Sequence, residues 1–236
     1  MTHWLLLLVF SIIMLHWLLM ALKVTQIAVG GFDENFSYLV HDEESKQGFV
    51  IDPSGSFHLV EHAVEVLKLN MIGILLTHTH HDHFDALDVA SASYRVQVFV
   101  HERGLGRIST PDAQPLKEGM SLPLGNYKIE VLHTPGHIED AVCFYVAATD
   151  DKSPSLITGD TLFVDGCGRT NEDSVRQLFD SLQRIKQLPA DTVIFPGHDY
   201  GSIPTAVLRD QLISNKYLNT DSFDEFKARR LPPPAV

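Results

Sequence analysis

The chain has 236 residues, 44% hydrophobic and 20% charged, enough apolar content to bury the core of one large domain. Its formal charge of −12 excludes a general nucleic-acid binder, because neutralising phosphates needs clustered Lys and Arg. The two cysteines, Cys143 and Cys167, offer neither metal-motif spacing nor a disulfide framework, which fits a reducing, cytoplasmic compartment.

From Trp4 to Leu22 the chain is almost wholly apolar, broken by Ser11 and His16, and residues 4–22 are long enough to span a bilayer. No basic residue precedes the run and no small-x-small site follows it, so a cleavable signal peptide is not expected. Residues 1–22 therefore read as an uncleaved membrane anchor or as an extension ahead of a translation start at Met20. A buried helix is the third reading. Residues 23–236 are expected to form a single domain, cytoplasmic, or membrane-anchored if the apolar segment is retained as a span.

Short β-rich runs then alternate with helical patterns. Val24–Val29 and Phe36–His41 read as strands split by Gly30-Gly31, and Gly48–Ile51 as a third closed by Asp52-Pro53. Phe57–Leu69 carries Leu59, Ala63, Val66 and Leu67 at helical spacing. Met71–Leu76 is a short buried strand that runs straight into Thr77-His-Thr-His-His-Asp-His83. Val96–Val100, Lys128–Leu132, Ala141–Val146, Leu156–Thr158 and Thr192–Phe195 are further strands. Ser174–Leu188 is an amphipathic helix, with Val175, Leu178, Leu182 and Ile185 on one face and Ser174 as its N-cap. A helix over about 205–215 and a polar tail complete the chain. Two β-rich halves with helices between them predict an α+β sandwich of two mixed sheets with helices on the outer faces.

Thirteen histidines are many for this length, and they cluster. In the loop after Leu76, alternate residues point the same way, so His78 and His80 can grip one metal and Asp82 and His83 a second. Imidazole and carboxylate donors without thiolate suit Zn²⁺, and also Fe²⁺ or Mn²⁺. Three more candidates each follow a predicted strand and a glycine: His137 in Pro135-Gly-His, Asp160 in Thr158-Gly-Asp, and His198 in Pro196-Gly-His. Glycine allows the sharp turn that brings the next side chain inward. By contrast, His41, His101 and His133 at strand ends read as structural or exposed, His58 and His62 as surface, and Cys167 as a small buried residue.

These motifs resemble the metallo-β-lactamase superfamily, in particular its glyoxalase II (hydroxyacylglutathione hydrolase) and persulfide dioxygenase branch. The likeness runs from about Val24 to Leu218 and is sharpest in Thr158-Gly-Asp-Thr-Leu-Phe-Val-Asp-Gly-Cys-Gly-Arg169 and Pro196-Gly-His-Asp-Tyr200. The resemblance implies the αββα sandwich and two divalent ions, zinc first among them. It puts His78, His80 and His137 on the first ion, Asp82, His83 and His198 on the second, and Asp160 between them. It further implies hydrolysis of a small-molecule thioester by metal-bound hydroxide, since two cations bring the pKa of a bound water near neutrality. Asp82 would orient that hydroxide. β-Lactamases of the commonest metal-dependent type carry cysteine at the Asp160 position, which argues against antibiotic hydrolysis.

Arg169 stands where glyoxalase II enzymes carry a lysine that contacts glutathione, and Tyr200 and Lys216 are further substrate-binding candidates. Asn171 replaces the aromatic residue the family places two positions after Arg169. The chain ends soon after the last ligand, so one wall of the usual glutathione pocket is expected to be missing and selectivity to be loose. The dioxygenase reading, with one iron on the counterparts of His78, His137 and Asp160, stands second. Ile138 and Tyr217 depart from that branch's pattern. A silent metal-binding partner domain stands third, and the complete ligand set argues against it.

Overall fold

The computed structural model describes residues 22–147 and 152–231. The apolar segment expected over 4–22 lies outside them except for Leu22, which opens the first strand. Among the described residues no helix is long and apolar enough to cross a membrane.

Two six-stranded sheets face each other. The first runs in the order β1-β2-β3-β4-β5-β6 and contains β1 (Leu22–Gly30), β2 (Asn35–Asp42), β3 (Gln47–Ile51), β4 (Asn70–Leu75), β5 (Val98–His101) and β6 (Gln114–Leu116). The second has β7 (Ser121–Leu124), β8 (Tyr127–His133), β9 (Val142–Val146), β10 (Ser155–Gly159), β13 (Val193–Pro196) and β14 (Ala206–Val207), in the order β14-β13-β10-β9-β8-β7. Both are mixed: β3, β4, β5 and β6 pair in parallel, as do β10 and β13, while the remaining neighbours are antiparallel. A small hairpin, β11 (Leu162–Phe163) with β12 (Gly166–Cys167), leaves the end of β10.

The period of two along each strand sorts side chains between layers. On β2, Phe36, Tyr38 and Val40 enter the core between the sheets, and Leu39 enters the layer beneath the helices. On β9, Val142, Phe144 and Val146 face the inter-sheet core, and Cys143 faces the other helical layer. The first sheet is covered by α1 (His58–Leu67) and α2 (Leu87–Tyr94). The second is covered by α3 (Val175–Ile185), α4 (Leu208–Ser214) and α5 (Phe223–Arg230). This is the αββα sandwich expected from the sequence.

Three local readings need correction. Ser174 stands at the start of α3, but its side chain caps nothing; Asn171 Oδ1 instead accepts from the backbone N–H groups of Asp173 and Ser174 at 3.0 and 3.1 Å. The helix expected over 205–215 opens with β14, and only Leu208–Ser214 is helical. The polar tail contains α5, whose N-cap Ser222 accepts from Glu225 N and whose Phe226 is fully buried.

The Asn171 cap generates a stability prediction. Asn171→Ala should cost about 1 kcal/mol, the usual weight of such a cap, read as a shift of the urea midpoint at unchanged slope. A midpoint equal to that of the parent protein would show that water replaces the cap without loss.

Candidate metal centre

The ends of β4, β8, β10 and β13 deliver the seven candidate ligands to one edge of the sandwich. The loop after β4 carries His78, His80, Asp82 and His83; His137 follows β8, Asp160 follows β10 and His198 follows β13. Backbone bonds hold these loops together: across the two sheets Val142 N donates to Thr77 O at 2.8 Å and Phe36 N to Gly197 O at 2.9 Å, and within the second sheet Gly197 N donates to Gly159 O at 2.9 Å.

The glycines act as the sequence suggested, though by two routes. Gly136 and Gly159 have φ of 135° and 46°, which side-chain-bearing residues rarely adopt. Gly197 has no such φ; it is needed for closeness, because a Cβ there would lie 2.5 Å from Asp160 Oδ1 and 2.7 Å from His83 Cε1.

The donor atoms form two groups, His78, His80, His137 and Asp160 in one and Asp82, His83 and His198 in the other, each within 4.8 Å. In the first, His80 Nδ1 lies 3.1 Å from His78 Nε2 and 2.8 Å from His137 Nε2. In the second, His83 Nε2 lies 3.1 Å from His198 Nε2. Asp160 faces both, with Oδ1 at 3.2 and 3.3 Å from His83 and His198 and Oδ2 at 3.5 Å from His137.

Outer hydrogen bonds decide which nitrogen each ring presents. His137 Nδ1 donates to Arg169 O at 2.9 Å and His198 Nδ1 to Asp33 O at 2.6 Å. His83 Nδ1 donates to Asp52 Oδ2 at 2.9 Å. Thr77 Oγ1 gives its proton to the same Asp52 oxygen at 2.5 Å, so at 3.1 Å it accepts from His78 Nδ1. With Nδ1 protonated, Nε2 of each of these four rings turns a lone pair toward its neighbours. Two nitrogens on one zinc at tetrahedral angles stand about 3.3 Å apart, close to the separations here. The buried Asp160 Oδ1 is within ion-pair range of two imidazoles yet has no hydrogen-bond partner. Converging lone pairs around an unsatisfied carboxylate oxygen fit divalent cations and little else.

The titration behaviour divides along the same line. Burial holds His78, His80 and His137 below the ordinary histidine value, so they are neutral near pH 7. Burial also disfavours charge on His83 and His198, but Asp160 overcomes it, with Asp52 assisting at His83, and both are raised. Burial would raise Asp160, yet His83 and His198 hold its carboxyl well below the usual range.

All ten residues singled out from the sequence meet here, though not all in the roles expected. A cleft of about 600 Å³ opens beside the ligands, lined among others by Arg169, Tyr200 and Lys216. Tyr200 offers its ring rather than its hydroxyl, which is spent on Asp33; the ring stacks on His198 at 4.7 Å. The expected missing wall is partly present, because Tyr217 and Arg230 of the C-terminal segment line the cleft with Lys216. Sequence reasoning missed Asp52, Asn35 and Asp33 altogether. Asp52 was legible only as a turn closing a strand; an acid set directly after the apolar run Phe49–Ile51 was the available signal. Asn35 Nδ2 donates to both the backbone and the carboxylate of Asp82 at 3.1 Å.

Residues 30–198 match the family model of the metallo-beta-lactamase superfamily. The chain belongs to that superfamily. It is 29% identical over 204 residues to the probable polyketide biosynthesis zinc-dependent hydrolase PksB of Bacillus subtilis, covering 83% of this chain and 88% of that protein. To the hydroxyacylglutathione hydrolase of Bartonella henselae it is 36% identical, over 71% of this chain but only 64% of that protein's length. Among solved structures, ETHE1 from Myxococcus xanthus superposes with a TM-score of 0.74 at 26% identity, covering 90% of this chain and 92% of that one.

Two substitutions test the geometry. Gly197→Ala should fold but lose most bound metal, because its methyl group displaces Asp160 and His83; elemental analysis beside a retained circular dichroism spectrum reads this. Asp52→Asn should weaken metal affinity roughly 10–100-fold, the usual weight of an outer ligand partner, measured by chelator competition. Unchanged affinity there would remove Asp52 from the support of the site.

Proposed function

We propose that this protein is a binuclear metallohydrolase that cleaves small S-acyl thioesters of the hydroxyacylglutathione type. The observation that carries the reading is the placement of Asp160, one oxygen toward each donor group. Relatives named hydroxyacylglutathione hydrolase, at 32–36% identity, support the thioester class.

His78, His80 and His137 would hold one ion, Asp82, His83 and His198 the other, and Asp160 both. Divalent cations of the zinc class supply Lewis acidity there, polarising a carbonyl and acidifying water. The remaining work falls to the chain itself. Asp82 lines the cleft; burial disfavours its charge, but His83 and the Asn35 hydrogen bond keep its pKa low, so it is ionised at neutral pH and can orient an attacking water. A thiolate leaves readily, so no acid is needed beside the sulfur. Arg169 is suited to both roles its position gives it: its backbone carbonyl orients His137, while its side chain lies on the cleft.

Protein purified from metal-supplemented culture should contain two ions and hydrolyse S-lactoylglutathione. One iron with oxygen uptake on a persulfide would replace this reading with the dioxygenase. Asp160→Ala should lose both ions and melt at lower temperature, since metal binding and folding of the site are coupled; two retained ions would place the bridge elsewhere. Lowering the pH should release the ion of the second group first. His83 and His198 have raised pKa values and take up protons before His78, His80 and His137 do, so competition between proton and metal begins at the second group. Metal content measured after dialysis across pH 7 to about 5 would show one ion lost before the other, or, if the assignment is wrong, both together.

A further inference from the structure

The turn between β1 and β2 carries no ligand, yet two of the three residues in the second donor group take their orientation from it. His198 Nδ1 donates to Asp33 O at 2.6 Å, and Asn35 Nδ2 donates to both the backbone and the carboxylate of Asp82 at 3.1 Å. The backbone on either side of His198 is tied to the same stretch, with Asp199 N donating to Glu34 O at 3.0 Å and Phe36 N to Gly197 O at 2.9 Å. In the first group, by contrast, His78 leans on Thr77 and His137 on Arg169 O. The turn supports one group and not the other.

Its own packing holds only its base. A Cβ on Gly31 would come within 3.1 Å of Gly55 Cα, so the base sits close on that loop, but Phe32 at the tip is 95% exposed. Glu34 stands at φ 56°, a conformation that a side-chain-bearing residue rarely adopts unless its surroundings impose it. Tyr200 supplies the missing hold. Its hydroxyl donates to Asp33 Oδ2, while its ring lies parallel to that of His198 with centres 4.7 Å apart and edge-on to Phe163 at 5.1 Å. Asp33, His198 and Tyr200 thus close a circuit in which each touches the other two. A tyrosine that served a substrate would keep its hydroxyl for the cleft; this one has committed both its polar end and one face of its ring.

We infer that Tyr200 is a positioning residue, a latch that holds the β1–β2 turn through Asp33 and so sets the affinity of the second ion independently of the first. This rests on the two-ion reading above and deepens it. The tyrosine that the sequence offers as a substrate contact acts instead on metal uptake, through Asp33 and His198.

The test titrates zinc into the metal-free full chain against a competing chelator. The Nδ1–H signals of His137 and His198, followed by nuclear magnetic resonance, assign each dissociation constant to its donor group. Tyr200→Phe keeps the ring and loses the bond to Asp33, and should weaken the second ion about tenfold. Tyr200→Leu loses both contacts and should approach a hundredfold, the upper weight of an outer ligand partner. The first ion should bind as in the parent protein. Asp33→Ala should match Tyr200→Phe, and Asp33→Asn, which keeps an acceptor for the hydroxyl, should restore most of that loss. In parallel, hydrogen exchange on the metal-free proteins should show the amides of Phe36 and Asp199 losing protection in Tyr200→Phe. Equal weakening at both groups would reduce Tyr200 to general stability and overturn the latch. So would unchanged metal affinities beside a raised KM for thioesters, which would return the residue to the substrate. A parent protein that takes up a single ion overturns the two-ion reading, and the exchange data then decide on their own whether Tyr200 holds the turn.

Discussion

Everything at the edge of this sandwich depends on which nitrogen each of its closely packed imidazoles turns inward. Rings with donor atoms 2.8 to 3.1 Å apart would turn away from one another if each were free to choose its tautomer. Here the choice is removed from outside. Arg169 O, Asp33 O, Asp52 and Thr77 each take an Nδ1 proton, so the repulsion among lone pairs is carried by groups already anchored in the backbone. A positive charge at the centre then turns that arrangement from costly to favourable, which is the sense in which the protein is prepared for its metal.

Asp52 has the widest reach among these supports. It is buried, and at φ 51° its carboxylate accepts from Thr77 N, from Thr77 Oγ1 and from His83 Nδ1. Through Thr77 it orients His78 in the first donor group; directly, it orients His83 in the second. The two groups therefore share a support behind them as well as Asp160 between them. The two sheets are tied at the same place, since Tyr38 of β2 donates to Pro196 O just before Gly197 and His198. Slippage of one sheet against the other would disturb the ligands before it disturbed the apolar core.

The sequence was most legible where chemistry forces residue types. The seven candidate ligands and the glycines before three of them could be read because few other roles explain such donors after successive strands; their full grouping came from the family resemblance. The layers were legible from the order of elements, two β-rich halves with helices between them. What escaped was decided by tertiary packing. α2 has only Leu87 and Ala90 buried, too few to mark a helix by spacing. The α3 cap moved from Ser174 to Asn171 because a turn precedes the helix and its amides meet Asn171 first. Asp52 read as punctuation because only the fold brings Thr77 and His83 to it.

The same distinction explains the wall of the cleft. Arg169 sits beside the hairpin β11–β12 and inherits its position from the loop that also supports His137, so its neighbourhood was visible in a short motif. Lys216, Tyr217 and Arg230 come from the segment after α4 and from the end of α5, which packs through Phe226 against Phe179 of α3. That packing brings a charged helix end back to the cleft, where Arg230 meets the carbonyl of Gly168, eight residues past Asp160. The core contact and the cleft wall are thus one event: burying Phe226 sets where Arg230 stands. The segment after the last ligand thus lines one side of the cleft, with Phe226 of α5 on the core and Arg230 at its end on the site.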